Sequence, residues 1–381
     1  MKYISLNDLV KINKGKKHNH VYSKQTTSTR RYIQIDDLRN DNNLKYTDDI
    51  GTEVNKDDLI IAWDGANAGT IGYGLEGFIG STLARLRLNN NDLLTSYLGF
   101  FLKSKFQFIR DRTTGATIPH VSKQNLLSIQ VPYLDKSEQQ ELVNKLTKLN
   151  LIIQNKTIQI ELFDDYLRSK FYEMFGDFET NISHNSFLPL GEISEIASGV
   201  TKGQHYFDKF TEEIPYLRVA NVQDGHLNLN EIKQIKTTIE NINNFLLRPG
   251  DILMTEGGDF DKLGRGAIWH GEIDRCIHQN HIFRVRFDQK IINPEFFEMY
   301  LKTPFAKKYF LRMSKKTTNL ATINMTQLKA LPVPLVSLAF QNKFVSMKVV
   351  TKNIQRKFRL GQADVSLLFN SLMQKSFNSY N

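Results

Sequence analysis

Short apolar runs separated by turn-forming residues fill the first part of the chain and recur in similar order later on. Asp58–Trp63 is an almost continuous apolar run, and Ala84–Leu88 alternates apolar with basic residues; both patterns are typical of strands. The other predicted elements are a strand at Tyr32–Ile35 and a helix at Leu98–Lys103, and in the later part strands at Asp251–Met254 and Phe283–Phe287 and a helix at Phe296–Leu301. The pattern predicts an α+β module that is present twice.

The segment behind each module has apolar residues three or four positions apart, which predicts a long helix. Ser137–Phe178 contains no proline and no glycine before Gly176. A helix of about 40 residues is about 60 Å long, and its narrow apolar stripe resembles a coiled-coil seam. The predicted seam residues are Leu142, Leu146, Leu149, Ile153, Ile160, Phe163 and Leu167 in the first helix, and Phe344, Met347, Ile354, Phe358, Val365, Leu368 and Leu372 in the second.

Two arrangements of these helices are open. Each helix could pack on its own module, or the two could pair with each other. Their equal lengths and matching seams favour an antiparallel pair, although Lys156 interrupts the first seam and Thr351 and Gly361 weaken the second.

Motifs repeated in a fixed register show that the chain is duplicated. The motif from Leu6 to Gly15, Leu-x-Asp-Leu-x-x-Ile-x-x-Gly, reappears from Leu190 to Gly199 as Leu-x-Glu-Ile-x-x-Ile-x-x-Gly. The other repeated motifs are Tyr32–Leu38 with Tyr216–Val222, Val131-Pro132 with Val333-Pro334, and Gln139-x-x-Leu142-Val143 with Gln341-x-x-Phe344-Val345. A solenoid repeat would be far shorter, so the repeat predicts two copies of one module.

The repeat also predicts the domain organisation. We expect an α+β fold with two globular domains in a pseudo-twofold arrangement, separated by two long antiparallel coiled-coil-like helices. The predicted boundaries are 1–134 for the first domain, 135–180 for a spacer helix, 181–336 for the second domain and 337–381 for a C-terminal spacer helix.

Charge and cysteine content narrow the classes of partner and site. The 381 residues carry a formal net charge of +10, which favours a polyanionic partner such as nucleic acid, although surface charge can also serve solubility alone. Cys276 is the only cysteine, so we expect neither a disulfide framework nor a thiolate metal cluster. The sequence contains neither a secretion signal at its start nor an apolar run of membrane-spanning length, and we expect a cytoplasmic location.

Motifs that could carry catalysis are weak. Asn293-Pro294-Glu295-Phe296 resembles the motif with which amino-methyltransferases hold a target amine, but these residues also suit the start of a helix. Asp224, Glu231 and Lys233 form a loose nuclease-like set that has no counterpart in the first copy.

Phosphate-loop and metal-site patterns are also weak. Gly15-Lys16-Lys17 lacks the remaining residues of a phosphate loop. His18 with His20, and His278 with His281, lack carboxylate partners at ligand spacing. We therefore predict no catalytic, cofactor-binding or metal-binding residue, and we expect a binding protein.

Polar loops in both copies supply the candidates for DNA contacts. Lys, Arg, Thr, Asn, Gln and His side chains can hydrogen-bond both phosphates and base edges. The candidates in the first copy are Lys16, Lys17, His18, His20, Lys24, Arg30, Arg31, Thr113, Thr114, Thr117 and His120. Those in the second are Lys202, Gln204, His205, Lys262, Arg265, Lys315, Lys316, Thr317, Thr318 and Asn319.

The ordered motifs resemble the specificity subunits of type I restriction–modification systems over nearly the whole chain. The resemblance rests on the duplicated opening motif, the Gly250–Leu253 strand, the Asn293 helix start, and the Leu331–Leu335 strand that leads into a helix near Gln341. The first copy departs from the pattern at Lys56–Leu59 and at Pro119-His120, which bears on loop shape.

The resemblance implies a non-catalytic DNA reader with two target recognition domains, each reading one half of a split, asymmetric site. It further implies that the helices set the spacer and dock two modification subunits, which bring S-adenosylmethionine and methylate adenine. A restriction subunit that uses ATP and Mg would join the full complex. The competing hypotheses are a stand-alone nuclease or DNA methyltransferase with tandem recognition domains, and a structural adaptor whose charge is incidental.

Overall fold

The computed structural model of the chain describes residues 2–40, 42–115, 117–180, 186–204, 210–316 and 321–377. These residues form two units. The first unit comprises the described residues of 1–158 and 358–381, and the second those of 159–357. Both boundaries between the units fall inside the 40-residue helices Lys136–Phe175 and Leu338–Phe377. Each unit therefore contains one mixed α/β part and a segment of each long helix.

The first unit is built from short strands and four short helices that precede the first long helix. Its strands are β1 (Lys2–Ser5), β2 (Val10–Lys14), β3 (Arg30–Ile33), β4 (Tyr46–Thr47), β5 (Thr52–Val54), β6 (Leu59–Ala62), β7 (Ile71–Tyr73), β8 (Gly77–Ile79), β9 (Leu83–Leu88) and β10 (Gln130–Tyr133). Its helices are α1 (Leu6–Leu9), α2 (Thr95–Ser104), α3 (Phe106–Asp111) and α4 (Lys123–Leu127), followed by the first part of α5 (Lys136–Phe175).

The strands of the first unit form two four-stranded sheets and one strand pair. The central sheet has the order β2-β9-β6-β7 with antiparallel neighbours, and β6 lies inside it as a fully buried run, as its continuous apolar sequence predicts. The second sheet has the order β4-β3-β8-β5, in which β3 and β8 are parallel. Helix α2 buries Tyr97, Leu98 and Phe101 in the core, where Phe377 packs edge-on against Tyr97 and Phe101.

The second unit repeats this order. Its strands are β11 (Phe187–Pro189), β12 (Ser194–Ser198), β13 (Thr211–Leu217), β14 (Lys233–Thr238), β15 (Ile252–Thr255), β16 (Gly257–Gly258), β17 (Gly266–Ile268), β18 (Ile277–His278), β19 (Ile282–Phe287), β20 (Lys315–Lys316), β21 (Ala321–Thr322) and β22 (Pro332–Pro334). Its helices are the last part of α5, α6 (Leu190–Ile193), α7 (Ile239–Phe245), α8 (Pro294–Leu301), α9 (Pro304–Met313), α10 (Met325–Lys329) and the first part of α11 (Leu338–Phe377).

Strand pairing confirms that the second unit has the same core as the first. Its central sheet has the order β12-β19-β15-β17, which corresponds strand for strand to β2-β9-β6-β7. The parallel pair β3–β8 corresponds to β13–β18, with Tyr32 opposite Phe78 in one unit and Tyr216 opposite Ile277 in the other. The repeated tyrosines of the sequence therefore occupy equivalent strands.

The glycine that closes the repeated opening motif is explained by crowding. A Cβ atom on Gly15 would lie 2.1 Å from the carbonyl oxygen of Gly80, and one on Gly199 would lie 1.8 Å from that of His278. Real Cβ atoms do not approach this closely, so a side chain at either position would push the opening strand away from the end of the neighbouring sheet.

A buried carboxylate–guanidinium pair recurs at the start of the central sheet. Arg87 makes two hydrogen bonds to Asp58, of 2.7 and 2.6 Å, and Arg286 makes two to Asp251, both of 2.7 Å. Both carboxylates are buried, and each also accepts a backbone hydrogen bond from the turn before its strand. The Asp that the two copies share before this strand therefore has the same structural role in each unit.

The two long helices pack in opposite directions within each unit. In the first unit, Gln362 of α11 donates to the carbonyl oxygen of Ile153 at 3.5 Å, and the ammonium of Lys156 lies 5.1 Å from the ring centroid of Phe358. In the second unit, Gln355 of α11 donates to the carbonyl oxygen of Ile160 at 2.8 Å, and Phe344 packs on Phe171 further along α5. In both units, residue numbers increase along α5 while those of the contacted residues of α11 decrease, so the two helices are antiparallel.

The buried face of α11 differs from the predicted seam at two residues. Ile354 is 42% exposed and Leu368 is 57% exposed, so both lie outside this face. The buried row contains the predicted Phe344 and three residues that were not predicted, in the order Phe344, Lys348, Thr351 and Gln355. Their spacing of four, three and four is a heptad pattern, but it runs through polar residues that an apolar search passes over. The other predicted seam residues of both helices are buried or half-buried.

Lys348 is buried because two carboxylates surround it. Its ammonium group donates to Glu295 and Glu298 of α8. Burial alone would lower the pKa of Lys348, but the two carboxylates raise it above its ordinary value, so the ammonium stays charged. This contact joins α11 to the domain part of the second unit. Among the helices of the described residues, none combines the length and apolar character needed to cross a bilayer.

Candidate nucleic-acid interface

Two segments meet at the end of the central sheet in the first unit. We call this surface the mouth of the first unit and define it by Lys14, Asp64, Gly65 and the hairpin in which Thr114 is bridged to His120. Asp64 and His120 form a β-bridge, and the backbone N–H of Gly65 donates to the carbonyl oxygen of Pro119 at 2.9 Å. Asp64 contacts the ammonium of Lys14 at 3.2 Å through one oxygen and Nδ1 of His120 at 2.6 Å through the other. Strand ends and hairpin thus converge on one exposed polar surface.

The second unit has an equivalent mouth, defined by Glu256–Gly258, His281 and the strands β20 and β21. Gly257 pairs with Thr322, and the backbone N–H of Ile323 donates to the carbonyl oxygen of Glu256 at 2.9 Å. In the first unit, Val121 makes the corresponding bond to Trp63. Nδ1 of His281 lies 2.6 Å from a carboxylate oxygen of Glu256. The backbone frame is shared by the units, whereas the side chains it presents differ.

The polar loop after β2 is organised around Asp49. This carboxylate accepts hydrogen bonds from the backbone N–H groups of Asn19 and His20 at 2.6 and 3.1 Å, and contacts Nδ1 of His20 at 2.9 Å. These bonds lower the pKa of Asp49 to about 2, and bonding to Asp49 raises the pKa of His20. Lys16, Lys17 and Lys24 are exposed in the same loop, where they are available for phosphate contacts.

The position of His18 argues against its prediction as a DNA-contact residue. His18 is only 6% exposed, its ring lies 4.6 Å from that of Tyr32, and its Nδ1 lies 3.1 Å from the Thr47 hydroxyl. Burial lowers its pKa, so the ring stays neutral. We therefore reassign His18 from DNA contact to support of the loop. The polar neighbours in its sequence conceal this burial, because the aromatic ring it packs on comes from a later strand.

The two arginines of β3 are engaged with carboxylates. Arg30 contacts Glu53 at 2.5 Å and remains exposed. Arg31 is largely buried and contacts Asp37 at 2.9 Å. Arg30 therefore stays a candidate for a phosphate contact, whereas Arg31 mainly holds the turn after its own strand.

The remaining predicted residues lie at or near the hairpins and the neighbouring loops. Thr114 and Thr117 are exposed in the first hairpin, and Thr113 next to it donates to the carbonyl oxygen of Arg110 at 2.9 Å. In the second unit, Lys262 pairs with Asp259, and Arg265 donates to the side chain of Gln223 at 3.3 Å. Lys202 and Gln204 are exposed, Lys315 is exposed in β20, and Lys316 follows it in the same strand. His205, Thr317, Thr318 and Asn319 lie outside the described residues.

Several residues of the mouths were not found from the sequence. Lys14 precedes Gly15 in the repeated motif, and Asp64 and Glu256 follow buried strands, but no local pattern marks them as a set. Arg110 was also missed, and its guanidinium donates to the carbonyl oxygen of Ala66 in the loop after β6 at 2.5 Å. His281 was considered for metal binding, where no carboxylate was expected beside it. These residues could be recognised as a set only if the contacts between the strand ends were already known.

The weak catalytic motifs have structural explanations. Asn293 caps α8, because its side chain accepts from the backbone N–H of Glu295 at 3.0 Å and Pro294 occupies the first turn. Glu231 is paired with Arg218 and Lys233 at 3.4 and 3.5 Å.

One group in the described part of the chain has metal-ligand spacing: His20, Asp48 and Asp49. The oxygens of Asp49 in this group already accept the loop hydrogen bonds described above. The geometry therefore gives this trio a structural role in the loop.

Comparison with known proteins gives one consistent result. A family model described as the type I restriction modification DNA specificity domain matches residues 1–162 and 184–354. The MjaVIII type I specificity subunit of Methanocaldococcus jannaschii is 26% identical in an alignment of 325 residues that covers 78% of this chain and 76% of the relative. The EcoBI specificity subunit of Escherichia coli is 22% identical, over 86% of this chain and 74% of the relative.

Solved structures are similar in fold. An S subunit of a type I restriction–modification system from M. genitalium has a TM-score of 0.59 and 19% identity, and the match covers 100% of this chain and 96% of that chain. A chain from a structure concerned with assembly and conformational transition of the type I system has a TM-score of 0.57 and 16% identity, with 99% and 97% covered.

Proposed function

The chain belongs to the family of type I restriction–modification DNA specificity subunits, and from this we propose that each of its two units reads one half of a bipartite, asymmetric DNA site. The family supplies the non-catalytic DNA-recognition component of these complexes and carries no cofactor of its own. The stand-alone nuclease or methyltransferase considered above is accordingly not favoured.

The observation that carries the proposal is the pair of equivalent mouths with different side chains. The backbone frame is the same in both units, from the central sheet to the hairpin bonds at Val121 and Ile323. The side chains differ: Lys14, Asp64 and His120 in one mouth, and Glu256, His281 and Lys315 in the other. Base edges are distinguished by the side chains presented to them, so this difference supports two different half-sites.

Exposed cations around the mouths suit the phosphate part of DNA binding. Lys16, Lys17 and Lys24 in the first unit and Lys202 and Lys315 in the second are exposed, and the chain carries a net charge of +10. Phosphate contacts of this kind release counterions, so affinity falls as salt rises. Salt-insensitive, negligible DNA binding by the assembled complex would favour a structural adaptor instead.

We further propose that α5 and α11 form the antiparallel spacer of the family, with the recognition domains at 1–134 and 181–336 in a pseudo-twofold arrangement. A helix rises about 1.5 Å per residue, so the length of the pair would fix the separation of the half-sites. The contact of Gln362 with Thr157 in the first unit and that of Gln355 with Ile160 in the second support antiparallel pairing of the helices within each unit.

The long helices are also the proposed docking surface for two modification subunits. Polar residues such as Lys348 and Gln355 lie on the buried face, whereas many apolar residues outside it are exposed. The exposed set in the first unit is Leu151, Ile152, Ile158, Leu360, Leu367 and Leu368, and in the second it is Leu162, Tyr166, Val349, Val350 and Ile354. Exposed apolar rows of this kind mark interaction sites, and one row per unit suits one partner per unit.

The chemistry would then belong to the partners. The modification subunits would bind S-adenosylmethionine and methylate adenine, and restriction subunits would use ATP and Mg in the full complex. This chain would bring them to the site by binding DNA. Coexpression with a modification subunit, followed by genome-wide methylation mapping, tests the proposal. We expect one methylated site with two unlike halves at a fixed spacing; a continuous or symmetric site would contradict it.

A further inference from the structure

Each mouth contains one carboxylate–imidazole pair, and we propose that the imidazole of His120 and that of His281 each read one base edge while Asp64 and Glu256 hold the rings in place. This assignment rests on the proposed function, since it takes the mouths to be the surfaces that face DNA. It adds to that function the residues that read and the kind of base group they accept.

In the first unit the ring of His120 is held from three sides. Its Nδ1 lies 2.6 Å from Asp64, whose other oxygen is held by Lys14. The backbone of His120 exchanges hydrogen bonds with Thr114 across the hairpin, at 2.7 and 2.9 Å. Gly115, with a φ of +93°, leaves room for the ring, because a Cβ there would be 2.4 Å from the carbonyl oxygen of Ile118 and 3.0 Å from Cδ2 of His120. The ring therefore packs closely on the backbone of the hairpin.

In the second unit the ring of His281 is held by the neighbouring strand. Its Nδ1 lies 2.6 Å from Glu256, and the backbone N–H of Glu256 donates to the carbonyl oxygen of His281 at 3.0 Å. Glu256 is itself fixed, because its carbonyl oxygen accepts from Ile323 after the hairpin at 2.9 Å. The pair is thus anchored on two strands and on the hairpin of its mouth.

The two pairs come from positions that do not correspond in the duplication. The backbone bonds of Trp63 to Thr82 and Val121 match those of Glu256 to His281 and Ile323. Thr82 therefore corresponds to His281, and Thr322, which pairs with Gly257, corresponds to His120. Both mouths therefore contain a carboxylate–imidazole pair, but the residues of one pair are not the repeat equivalents of the residues of the other. Common descent of the two copies does not account for this, whereas a shared function does.

The hydrogen bond to the carboxylate determines which ring nitrogen of the histidine can accept a hydrogen bond from a base. A carboxylate oxygen accepts the hydrogen bond from the Nδ1 that faces it, and in a ring that carries one proton this leaves Nε2 as an acceptor. The exocyclic amino groups of adenine and cytosine are the donors in the major groove. His120 is 47% and His281 56% exposed at the side chain, which leaves room for such a contact.

Structural stability gives little reason for these pairs. Exposed ion pairs contribute little to folding. A carboxylate near the phosphate backbone also weakens DNA binding by charge repulsion, so its presence in both mouths is explained only by a gain in specificity. The carboxylate provides this gain by orienting the imidazole, because a ring held in one rotamer and one tautomer discriminates better between base edges.

The test uses the complex with modification subunits and maps methylated sites for His120→Ala and His281→Ala. We expect His120→Ala to lower the preference at one A·T or C·G position of one half-site about tenfold or more, and His281→Ala to do the same in the other half. Asp64→Asn and Glu256→Gln, which keep the shape of each side chain, should weaken the preference at the same positions. Thermal unfolding of each complex should match that of the unaltered one.

His270→Ala is the matched control, because His270 is exposed and follows β17, which pairs antiparallel with β15, so it lies at the end of the central sheet opposite to the mouth. It should leave the preferences unchanged; an equal loss in this control would overturn the assignment. Unchanged sites in both His120→Ala and His281→Ala would also overturn it. The proposed function would still stand in that case if exchange of residues 1–134 for those of a relative switches one half-site, and would fall if that exchange switches neither.

Discussion

Two buried glutamines hold the same junction in both units. Gln139 accepts from the backbone N–H of Leu94 and donates to the carbonyl oxygens of Asp92 and Leu134; Gln341 makes the corresponding bonds to Asn293, Ile291 and Val336. Both side chains are fully buried. They tie the start of each long helix to the loop before α2 or α8, which explains why the repeated motif begins with this residue.

We expect Gln139→Ala and Gln341→Ala each to lower the free energy of unfolding by about 2 kcal/mol, because buried backbone groups lose their partners. Urea unfolding of the purified complex would measure the loss. Gln140→Ala is the matched control, since Gln140 is exposed and bonds only to Asn144 among the contacts seen here. Equal stability of the Gln139 and Gln140 variants would contradict the role of Gln139.

His278 makes the second unit sensitive to acid. Full burial lowers its pKa to about 3, while its Nδ1 lies 3.0 Å from the carbonyl oxygen of Ile282. In the unfolded chain a histidine titrates near 6.5. The folded state therefore binds fewer protons between these values, and stability that is complete above pH 6.5 is lost as pH falls towards 3.

We expect the free energy of unfolding to fall by about 1.4 kcal/mol for each pH unit below about 6.5 through this residue alone. His278→Asn keeps a donor for Ile282 and removes the titration. Urea unfolding at about pH 7 and about pH 5 should show a smaller loss for the variant than for the unaltered chain. An identical loss in both would show that other groups cause the acid sensitivity.

At the scale of single residues, the sequence predicts those positions whose role follows from a local motif. Gly15 and Gly199 were found because the motif repeats, although the carbonyl oxygens that crowd them come from distant strands. His18 was misassigned, since Tyr32 and Thr47 cover it only once the sheet has formed. Burial of a polar residue in a polar loop depends on tertiary contacts, which no local pattern records.

Among the elements, the long helices were predicted almost to their ends. Ser137–Phe178 was expected and Lys136–Phe175 is observed. The seam register of α11 was less accurate, because the buried face includes Lys348 and Gln355. Lys348 is buried on account of Glu295 and Glu298 of α8, and such compensation by a distant element is invisible in the helix sequence.

The spacer proposal makes a prediction at this scale. Inserting one heptad into each helix at matched levels, after Ile158 and after Lys357, keeps the seam phase and every proposed docking residue and lengthens the pair by about 10 Å. At about 3.4 Å per base pair, the half-sites should move apart by about three base pairs and keep their sequences. Methylation mapping of the coexpressed complex measures both quantities.

Single insertions in α5 or α11 are controls that leave the helices unequal, and they should impair assembly instead of giving a clean shift. Altered half-sites with the old spacing would refute the spacer role.

Docking of partners makes a second prediction for these elements. Leu151→Glu with Leu367→Glu in the first unit, or Leu162→Glu with Val350→Glu in the second, should each remove one of two modification subunits, because a charge opposes burial of the apolar row. Native mass spectrometry of the complex gives the stoichiometry. Lys148→Glu with Lys357→Glu controls for added negative charge. Two subunits retained by both variants would contradict docking on these residues.

For the whole molecule, the repeat predicted both units and their order of elements, and the matching sheets confirm it. The mouths could not be predicted, because they form where β2, β6 and a hairpin after α3 meet in one unit, and their counterparts in the other. Residues such as Asp64 and His120 are far apart in sequence, and the corresponding positions carry different side chains in the two copies. A repeated motif marks what the copies share, whereas the proposed specificity depends on side chains that differ between them.

Independent reading by the two units is the central claim, and exchange of one recognition domain tests it most directly. Residues 1–134 would be replaced by the corresponding domain of a relative with a known site, and methylated sites would be mapped in cells that coexpress the modification subunit. We expect one half-site to become that of the relative, with the other half and the spacing unchanged. A change in both halves, or in neither, would contradict the claim.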